Sequence, residues 1–484
     1  MATWNGPLQK VADRRWLIPR SYKKGMKVDG LIFADEEMIS QIRQDQAPEQ
    51  VANVAFLQGI VGRSLAMPDI HWGYGFCIGG VAATDARDGV ISPGGVGYDI
   101  NCGVRLLRSD LAHNDIKDRV RAIADAMYQN VPCGIGSKGK LRFTRREIEE
   151  VLREGSRWVL KKGYGWEDDI LHTEEEGCLA GADPSKASHR AIERGMPQLG
   201  SLGAGNHFLE IQIVEEVYDQ NAARTMELEV GQITVMIHTG SRGLGYQICD
   251  DYVKNLVSAL SKYHIDVPDR QLACAPIESN EGKDYLAGMA CAANYAWSNR
   301  QFIVHWVRES FENVLGKSAE ELGLRQVYDV AHNIAKFEEH VVDGKSKSLC
   351  VHRKGATRAL PAGNPKVPEK YRSIGQPVLI PGDMGTNSYV LVGTDAAMKE
   401  SFGSTCHGAG RVMSRKGAIR LTSGRHVETE MKEKGIYVRA KSIMTLREEV
   451  SDAYKDVDRV VDVVHRAGIS RKVAKMRPLA VIKG

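Results

Sequence analysis

QITVMIHTGSRGLGYQICDDYVKNLVSALSKY, residues 232–263, contains one complete strand, loop and helix and shows how this chain is built. Its first part, residues 232–240, is a short β-branched apolar run, which is typical of a buried strand. A Gly-Ser-Arg-Gly turn ends the run, and a helical pattern follows it. The pattern predicts that His238 lies at the end of a strand, before a loop where backbone amides, Ser241 and Arg242 can meet a phosphate at the start of a helix.

Comparable elements occur along the chain without regular alternation. Residues 376–393 form two apolar segments around a tight turn at 381–385, and residues 346–361 resemble a strand followed by a basic loop. Since no G-x-G-x-x-G or G-x-x-x-x-G-K-[ST] follows a strand, an α+β architecture is favoured over a doubly wound sheet or a barrel, with mixed or antiparallel β-sheets surrounded by helices. Apolar residues at three- and four-residue spacing predict helices over residues 35–45, 114–129, 294–316 and 447–468.

The composition is that of an ordinary globular protein. The 484 residues are 43% apolar and 26% charged, which is enough for a large core and argues against extended disorder. The length alone favours two or three domains, but no linker, charge block or clear repeat divides the chain, so we expect one large domain over residues 1–484. No run of about 18 apolar residues exists and the first residues lack a signal-peptide core, so we expect a cytoplasmic protein with no membrane partner.

The cysteines and the charge indicate the cellular compartment and the kind of substrate. Nine cysteines without a C-x-x-C pair fit a reducing compartment, where thiols are buried small residues or metal ligands. The net charge of +4 gives no general sign of nucleic-acid binding. Three local basic clusters are compatible with a solvated face, yet together they favour a polyanionic substrate. They are Lys138, Lys140, Arg142, Arg145 and Arg146; Arg353, Lys354 and Arg358; and Arg471, Lys472, Lys475 and Arg477.

Five isolated polar sites lie in surroundings rich in Gly, Ser and Asn. Small neighbours let backbone amides approach a bound anion closely. A single histidine beside a glycine is usually structural, but five such sites together indicate metal and phosphate chemistry. Thiolate, imidazole and carboxylate suit Mn, Zn or Fe better than Mg or Ca. The sites are Asp99 and Cys102 in GYDINCG, His207 in GAGNHFLE, His238 in IHTGSRG, His332 in AHN and His407 in STCHGAGR.

Nine motifs, in this order, resemble the RtcB family of RNA-splicing ligases: PDIHWGYGFCIGG, GGVGYDINCGVR, GAGNHFLEI, IHTGSRGLG, AHNIAK, VHRKGATRA, LIPGDMGTNSYVLVG, STCHGAGR and AVIKG. The resemblance runs from about residue 60 to the C-terminus, and the N-terminal segment also fits. It implies the RtcB-type fold and a GTP- and Mn-dependent ligase. Such an enzyme joins an RNA 3'-phosphate or 2',3'-cyclic phosphate end to a 5'-hydroxyl end, in tRNA splicing and RNA repair, with tRNA exon halves as the expected substrate.

The resemblance implies that His407 is the catalytic residue that becomes guanylylated. A neutral imidazole can attack the α-phosphorus of GTP and later leave, which splits one difficult transfer into two easier ones. Gly408, Ala409 and Gly410 leave the phosphorus approachable. The alternative is that His407 only bonds the backbone in a tight turn.

The resemblance also implies two Mn ions. Asp99, Cys102 and His207 are expected to hold one ion, and Cys102 to bridge to a second ion held by His238 and His332. The i, i+3 spacing lets Asp99 and Cys102 enter one site from a single loop, whereas the convergence of the histidines is implied by the family alone. Two ions can neutralise a triphosphate and polarise an RNA end. The alternative for Cys102 is a buried small hydrophobe, and the same ligands bind Zn or Co at least as well.

Guanine-nucleotide contacts follow from the same resemblance. Glu210 is expected to accept from guanine N1 and N2 and so reject adenine, Tyr454 to stack or hydrogen-bond, and Lys483 to donate to the base. Asp383 stands where a small hydroxyl residue is expected; it either replaces the hydroxyl as an acceptor or caps the turn. The full set is Asn206, His207, Phe208, Leu209, Glu210, His332, Asn333, Pro381, Gly382, Asp383, Met384, Ser388, His407, Gly408, Ala409, Gly410, Tyr454 and Lys483.

RNA ends are expected to bind Arg194, Arg242, Lys354 and Arg415, since guanidinium forks hold two phosphate oxygens at once. Surface solvation is the alternative for Arg194 and Arg415. His71 is a further loop-presented polar residue, expected only to support the site. We expect a monomer, aided by the small activating protein archease that accompanies many family members.

Two other classes of protein remain open. A dinuclear-metal phosphoesterase or nuclease acting on RNA can use the same ligands and basic loops with water as the nucleophile. It needs neither a covalent His407 nor a guanine pocket, so that histidine discriminates between the two. An accessory protein that only binds RNA ends does not need five ligand-type residues, and an aromatic content of 7% offers it few stacking platforms.

Overall fold

The computed structural model describes residues 3–484, and its architecture is α+β with two large β-sheets. The strands are β1 Gln9–Ala12, β2 Arg15–Ile18, β3 Asp29–Phe33, β4 Ile60–His71, β5 Ile78–Asp85, β6 Val90–Ile91, β7 Gly103–Ala112, β8 Phe208–Val217, β9 Gln232–Thr239, β10 Ala275–Pro276, β11 Arg325–Ala331, β12 Asn333–Val342, β13 Lys345–Lys354, β14 Ala356–Arg358, β15 Pro377–Ile380, β16 Ser388–Gly393, β17 Ser404–Cys406, β18 Tyr437–Ala440 and β19 Ser470–Lys483.

The helices surround these sheets. They are α1 Glu36–Ile42, α2 Ala47–Val54, α3 His113–Ile116, α4 Val120–Asn130, α5 Arg145–Glu154, α6 Ser156–Lys161, α7 Glu167–Leu171, α8 His189–Gly195, α9 Gln220–Met226, α10 Arg242–Lys262, α11 Asn280–Leu315, α12 Asp395–Glu400, α13 Arg415–Leu421, α14 Val427–Glu433, α15 Ile443–Glu448 and α16 Val457–Arg466. Within residues 3–484, no helix combines the length and apolar content that crossing a bilayer requires.

Both large sheets are mixed, as the sequence predicts. The first has the strand order β1-β2-β3-β4-β5-β13-β12, and the second β11-β7-β9-β8-β19-β16-β15, with β18 beside β19. The β3–β4 and β18–β19 pairs are parallel, and the other pairs in these two sheets are antiparallel. The α+β prediction is therefore confirmed.

Helix α11 forms the centre of the largest apolar core. Ser279 caps its first turn by accepting from the Gly282 amide, and Gly316 ends it in the left-handed conformation. Its middle is buried on all sides, with Trp297 and Phe302 packed into the core. A polar residue in the middle of such a buried helix needs hydrogen-bond partners. Arg300 is a residue of this kind.

The predicted elements fit with two differences. The strand at 232–240, the hairpin at 376–393 and the first two helices are present as β9, β15–β16, α1 and α3–α4. The predicted helix over residues 447–468 is wrong in its first half, because Asp456 accepts from the Asp458 amide and starts α16 only at Val457.

The basic loop predicted within residues 346–361 is also wrong. Strand β13 continues through Lys354, and β14 follows it directly. Arg353 is fully buried and donates to both carboxylate oxygens of Glu338, at 2.7 and 2.8 Å. Arg358 is buried against Glu174 and Glu175. These two cations serve internal ion pairs, because a buried charge needs a partner.

Candidate metal and nucleotide site

One cavity of about 360 Å³ collects most of the predicted site residues. The turn before β7 supplies Asp99 and Cys102, the end of β9 supplies His238, and the β11–β12 junction supplies His332. His407 follows β17, which pairs with β14 outside the two large sheets, and His71 at the end of β4 brings in the first large sheet. Strand ends from both large sheets therefore meet in this cavity.

The expected metal ligands form two overlapping clusters. Cys102 Sγ lies 3.4 Å from His207 Nε2 and 3.3 Å from His238 Nε2. His238 Nε2 lies 3.3 Å from His332 Nε2, and Asp99 Oδ2 lies 2.9 Å from His207 Nε2. The groups Asp99–Cys102–His207 and Cys102–His238–His332 thus share the sulfur, which is the arrangement a bridging thiolate requires.

Local backbone geometry brings the first two ligands together. Asn101, between Asp99 and Cys102, adopts a φ of +52°, a left-handed conformation that asparagine tolerates better than most residues. Gly240 allows Asp99 to approach, since a Cβ there would lie 2.4 Å from Asp99 Oδ1. The Ser241 amide donates to the same oxygen at 2.9 Å, which leaves Oδ2 for the cluster.

A buried arginine of α11 ties the ligand-bearing segments to one another. Arg300 donates to the backbone oxygens of Asn101 and Thr239, both at 2.9 Å, and pairs with Asp329 through two bonds of 2.7 and 2.9 Å. Since Asn101, Thr239 and Asp329 belong to three different segments of the second sheet or its turns, one side chain fixes their relative positions. No sequence motif marks Arg300, because its partners are distant in the chain.

The protonation of these groups suits a borderline divalent cation. His207 Nδ1 faces the Leu202 carbonyl at 3.0 Å, which orients Nε2 toward Asp99 and Cys102. Burial lowers the pKa of His238 and of His332, which keeps both rings neutral. Burial opposes ionisation of Asp99, but the bond to His207 outweighs it and sets its pKa at about 2.

Cys102 completes this donor set. Burial and the Asp99 charge raise the pKa of the Cys102 thiol well above its usual value, so a thiolate there requires a bound cation. One carboxylate, three imidazoles and one ionisable thiol fit Mn, Zn or Fe better than Mg or Ca. The residues present therefore fit the metal that the resemblance implies.

His407 is held by a buried carboxylate that the sequence reasoning missed. Asp69 Oδ2 accepts from the His407 ring Nδ1 at 2.5 Å and from the backbone amides of His407 and Gly408 at 3.0 and 3.3 Å. Burial opposes ionisation of Asp69, but the charge and bonds of His407 lower its pKa below the usual value. The Nδ1 contact with Asp69 leaves Nε2 on the other side of the ring, and the ring stands 4.9 Å from the His332 ring, edge to face.

Lys455 clamps the segment around Asp69 by bonding the carbonyls on either side of it. Lys455 is buried and donates to the carbonyls of Pro68 and Ile70, at 2.9 and 2.5 Å. Gly410 allows the glycine-rich turn to pass over Asp69, since a Cβ there would lie 2.3 Å from the Asp69 carbonyl oxygen. The available signal for Asp69 was its place in PDIHWGYG, two residues before His71.

His71 lies on the cavity wall and stays uncharged. Its Nδ1 faces the Asp69 carbonyl at 2.9 Å, and burial lowers its pKa to about 3. It therefore adds a neutral polar group beside His407.

The opposite wall carries the expected base contacts. Lys483 donates to the Gly205 carbonyl at 2.8 Å and lies 3.6 Å from Glu449, over the ring of Phe208. The Tyr454 hydroxyl bonds Glu449. Burial and that carboxylate raise the pKa of Tyr454, so the phenol stays protonated. Asn206, Phe208, Tyr454 and Lys483 all line the cavity.

Three expected nucleotide contacts, Leu209, Glu210 and Ser388, do not line the cavity. Leu209 is buried in the core, and the Ser388 hydroxyl accepts from the amide of Gly382 at 3.2 Å. Glu210 accepts from Gln212 at 2.8 Å through Oε2, whereas Oε1 is buried without a hydrogen-bond partner among the described residues. Burial raises the pKa of Glu210 to about 8.

The turn at residues 381–385 is shaped by Asp383. Its carboxylate accepts from the Gly385 amide at 2.9 Å, the Thr386 hydroxyl at 2.7 Å and the Ser451 hydroxyl at 2.5 Å. Asp383 thus caps the turn, one of the two roles considered above, while Pro381, Gly382 and Met384 line the cavity beside it. Asn333 lines the cavity too and donates to the Asp99 carbonyl at 3.0 Å.

The four expected RNA-binding cations lie at different depths. Arg415 lines the cavity, 3.5 Å from Glu449. Lys354 also lines it, but its amino group donates to the Tyr74 and Phe76 carbonyls, and burial lowers its pKa to about 8. Arg242 lies against Gly203 near Ser201, and Arg194 is exposed outside the cavity.

An α+β fold that presents a buried Asp/Cys/His cluster beside a carboxylate-paired histidine defines the class, a candidate metal-dependent enzyme. Residues 50–484 match the model of the family described as tRNA-splicing ligase RtcB. The chain belongs to this RtcB family.

Similar proteins carry the same description. The chain is 58% identical over 479 residues to the tRNA-splicing ligase RtcB of Archaeoglobus fulgidus, with 99% of both chains covered. It is 54% identical over 478 residues to that of Thermococcus kodakarensis, again with 99% of both covered. It is 50% identical over 483 residues to that of Pyrobaculum aerophilum, with 99% of this chain and 100% of the relative covered.

Proposed function

We propose that this protein is a GTP-dependent RNA ligase that joins 3'-phosphate or 2',3'-cyclic phosphate ends to 5'-hydroxyl ends. The observation that carries the proposal is the pairing of His407 with Asp69 beside the Asp99–Cys102–His207–His238–His332 cluster. A metal-dependent hydrolase that uses water as the nucleophile needs no covalent histidine, whereas nucleotidyl transfer through an enzyme-bound intermediate needs a nucleophilic side chain.

His407 acts as the nucleophile in this proposal. Asp69 holds the Nδ1 proton, so Nε2 attacks the α-phosphorus of GTP, the bond to the β-phosphate oxygen breaks, and pyrophosphate leaves. The guanylyl group then passes from His407 to the RNA 3'-phosphate. Attack by the 5'-hydroxyl forms the new phosphodiester and releases GMP.

Two Mn ions are the proposed metals, and when bound they neutralise phosphate charge and polarise the reacting oxygens. Asp99 and His207 would hold one, His238 and His332 the other, with Cys102 shared. With cations held there, the anionic part of a triphosphate would lie at this end of the cavity, where His407 stands 4.9 Å from His332.

Guanine selectivity is assigned to Glu210, with Phe208, Tyr454 and Lys483 around the base. A buried carboxylate oxygen that lacks a partner among residues 3–484 is an acceptor for the guanine N1 and N2 hydrogens, which adenine does not offer. Glu210 is not among the residues that line the cavity, so the cavity wall must open for the base to reach it. Asn206, Asn333, Ser388 and the turn complete the proposed nucleotide contacts.

RNA ends are proposed to bind Arg194, Arg242, Lys354 and Arg415, and tRNA exon halves are the proposed substrate. Arg415 on the cavity wall and the exposed guanidinium of Arg194 support this path for a phosphate chain. We also propose that the chain acts in the cytoplasm as a monomeric single catalytic unit over residues 1–484, with archease as activator; the sharing of one cavity by both large sheets supports the single unit.

The test is a ligation assay that separates joining from cleavage. Wild-type protein receives a 5'-labelled RNA ending in a 3'-phosphate and a second RNA with a 5'-hydroxyl, with Mn and with GTP, ATP or no nucleotide. The proposal predicts a longer product with GTP only. Release of inorganic phosphate or shorter RNA, independent of GTP, would support a metal-dependent phosphoesterase or nuclease instead.

A further inference from the structure

A row of aromatic rings leads from the cavity wall to the protein surface. Tyr74 and Tyr98 both line the cavity, with ring centroids 5.6 Å apart and the rings edge to face. Tyr98 is followed by Tyr246 on α10, whose ring lies 4.8 Å away at an interplanar angle of 31°. Tyr246 is 47% exposed, so the row ends in solvent.

A guanidinium group lies over the outer ring. Arg194 Cζ lies 5.1 Å from the centroid of the Tyr246 ring. Its Nη1 donates to Gln247 at 2.8 Å, and Gln247 in turn donates to Asp251 at 2.8 Å. Arg194 on α8 is thus positioned by the helix that carries Tyr246, and is not a freely moving surface cation.

The charges around this row favour an anionic chain with flat bases. Asp250 is paired with Lys254 at 2.7 Å, and Asp251 accepts from Ser188 as well as from Gln247. The local carboxylates therefore have partners, whereas the outer side of Arg194 faces solvent. Aromatic rings interleaved with arginine are the surface on which proteins stack unpaired nucleobases.

The row also begins beside the proposed reaction centre. Tyr98 immediately precedes Asp99, which belongs to the metal-ligand cluster. Tyr98 lines the cavity and its ring contacts Tyr246, so a strand whose terminal phosphate lies near Asp99 and His407 can pass along these two rings. An exposed ring on that path can take a base without any sequence preference, because every base has a π-face.

We propose that Tyr246, backed by Tyr98 and flanked by Arg194, is a stacking site for an unpaired base close to the 3'-phosphate end of the substrate RNA. This inference rests on the proposed RNA ligase function and adds a subsite to it. The base takes the place of the Arg194 guanidinium over the Tyr246 ring, and the displaced guanidinium pairs with the adjoining phosphate.

The experiment measures binding of single-stranded RNA ending in a 3'-phosphate, by fluorescence anisotropy, with normal or abasic nucleotides at the three terminal positions. Wild-type protein is compared with Tyr246→Ala and Tyr246→Trp. Tyr218→Ala is the matched control, because Tyr218 is 40% exposed and stacks on Tyr389, away from the cavity. Tyr246→Ala is expected to weaken binding of the normal RNA by about 5- to 150-fold, the effect of losing one stacked base.

The abasic RNA makes the result specific to stacking. It should bind wild-type protein more weakly than the normal RNA and should be nearly insensitive to Tyr246→Ala, while Tyr246→Trp keeps tight binding of the normal RNA. Wild-type protein that binds both RNAs equally overturns the inference whatever the variants do, and so does an equal loss for both RNAs in Tyr246→Ala. Failure of the proposed ligase function is seen separately, in the ligation assay, as GTP-independent RNA cleavage or no joining. In that case the wild-type protein would still bind the normal RNA more tightly than the abasic RNA.

Discussion

Replacing Asp69 with asparagine should nearly abolish transfer of the guanylyl group to His407 while leaving the fold in place. The substitution Asp69→Asn keeps the shape but removes the charge that accepts three N–H groups, from the His407 ring and from the His407 and Gly408 amides. Loss of one charge-assisted bond costs about 1.5–3 kcal/mol, or about 10- to 150-fold in rate. An amide also permits the other ring tautomer, so the expected loss is about 10²- to 10⁴-fold.

The assay is the single-turnover rate of label transfer from α-labelled GTP to the protein. Asp219→Asn is the matched control, since Asp219 also accepts backbone amides, at the start of α9, away from the cavity. Asp69 has a lowered pKa in the folded protein, so its contribution to stability is present above the unfolded pKa and is lost as the pH falls through the folded value. The melting-temperature difference between wild type and Asp69→Asn should therefore shrink in acid. A variant that is guanylylated at the wild-type rate would refute the role assigned to Asp69.

Three further changes test other parts of the site. Cys102→Ser should lower the amount of Mn bound in equilibrium dialysis, because the shared thiolate is lost. The control Cys178→Ser changes a partly buried thiol outside both ligand groups and should leave Mn binding unchanged. Equal Mn binding by both variants would contradict the bridging role of Cys102. Glu210→Gln should weaken GTP binding by about 10- to 150-fold and reduce discrimination against ATP, as measured by calorimetry. Because the folded pKa of Glu210 is raised to about 8, the wild type loses stability as pH rises from the unfolded value near 4.5 to about 8, so the gain in melting temperature of Glu210→Gln should grow over that window; a constant difference would refute the burial argument. Lys455→Met should slow guanylylation by releasing the Pro68 and Ile70 carbonyls, and Lys455→Arg should restore part of the rate; a wild-type rate in Lys455→Met would show that the clamp is dispensable.

The sequence allowed the fold class and the strand–loop–helix around His238 to be predicted, because β-branched runs and helical spacing are local signals. The pairing of Asp99 with Cys102 was also predictable from their spacing. Asp69, Arg300 and Lys455 were not, since their partners lie far away in the chain and only folding brings them together.

The burial of individual charged side chains could not be predicted from the sequence either. Arg353 and Arg358 look like surface charges until the fold supplies Glu338, Glu174 and Glu175 as buried partners. Glu210 is the opposite case, a buried charged group that lacks a full set of partners. Its neighbours in GAGNHFLE give no sign that one carboxylate oxygen is left without a partner in the described structure.

Covalent labelling of the protein tests the central claim most directly. Wild-type protein and His407→Ala are incubated with α-labelled GTP and Mn, or with labelled ATP, then denatured and examined for label on the chain. The account predicts label that requires GTP, Mn and His407. Absence of label on the wild type with Mn, Zn or Co would contradict it, as would label of equal intensity on His407→Ala.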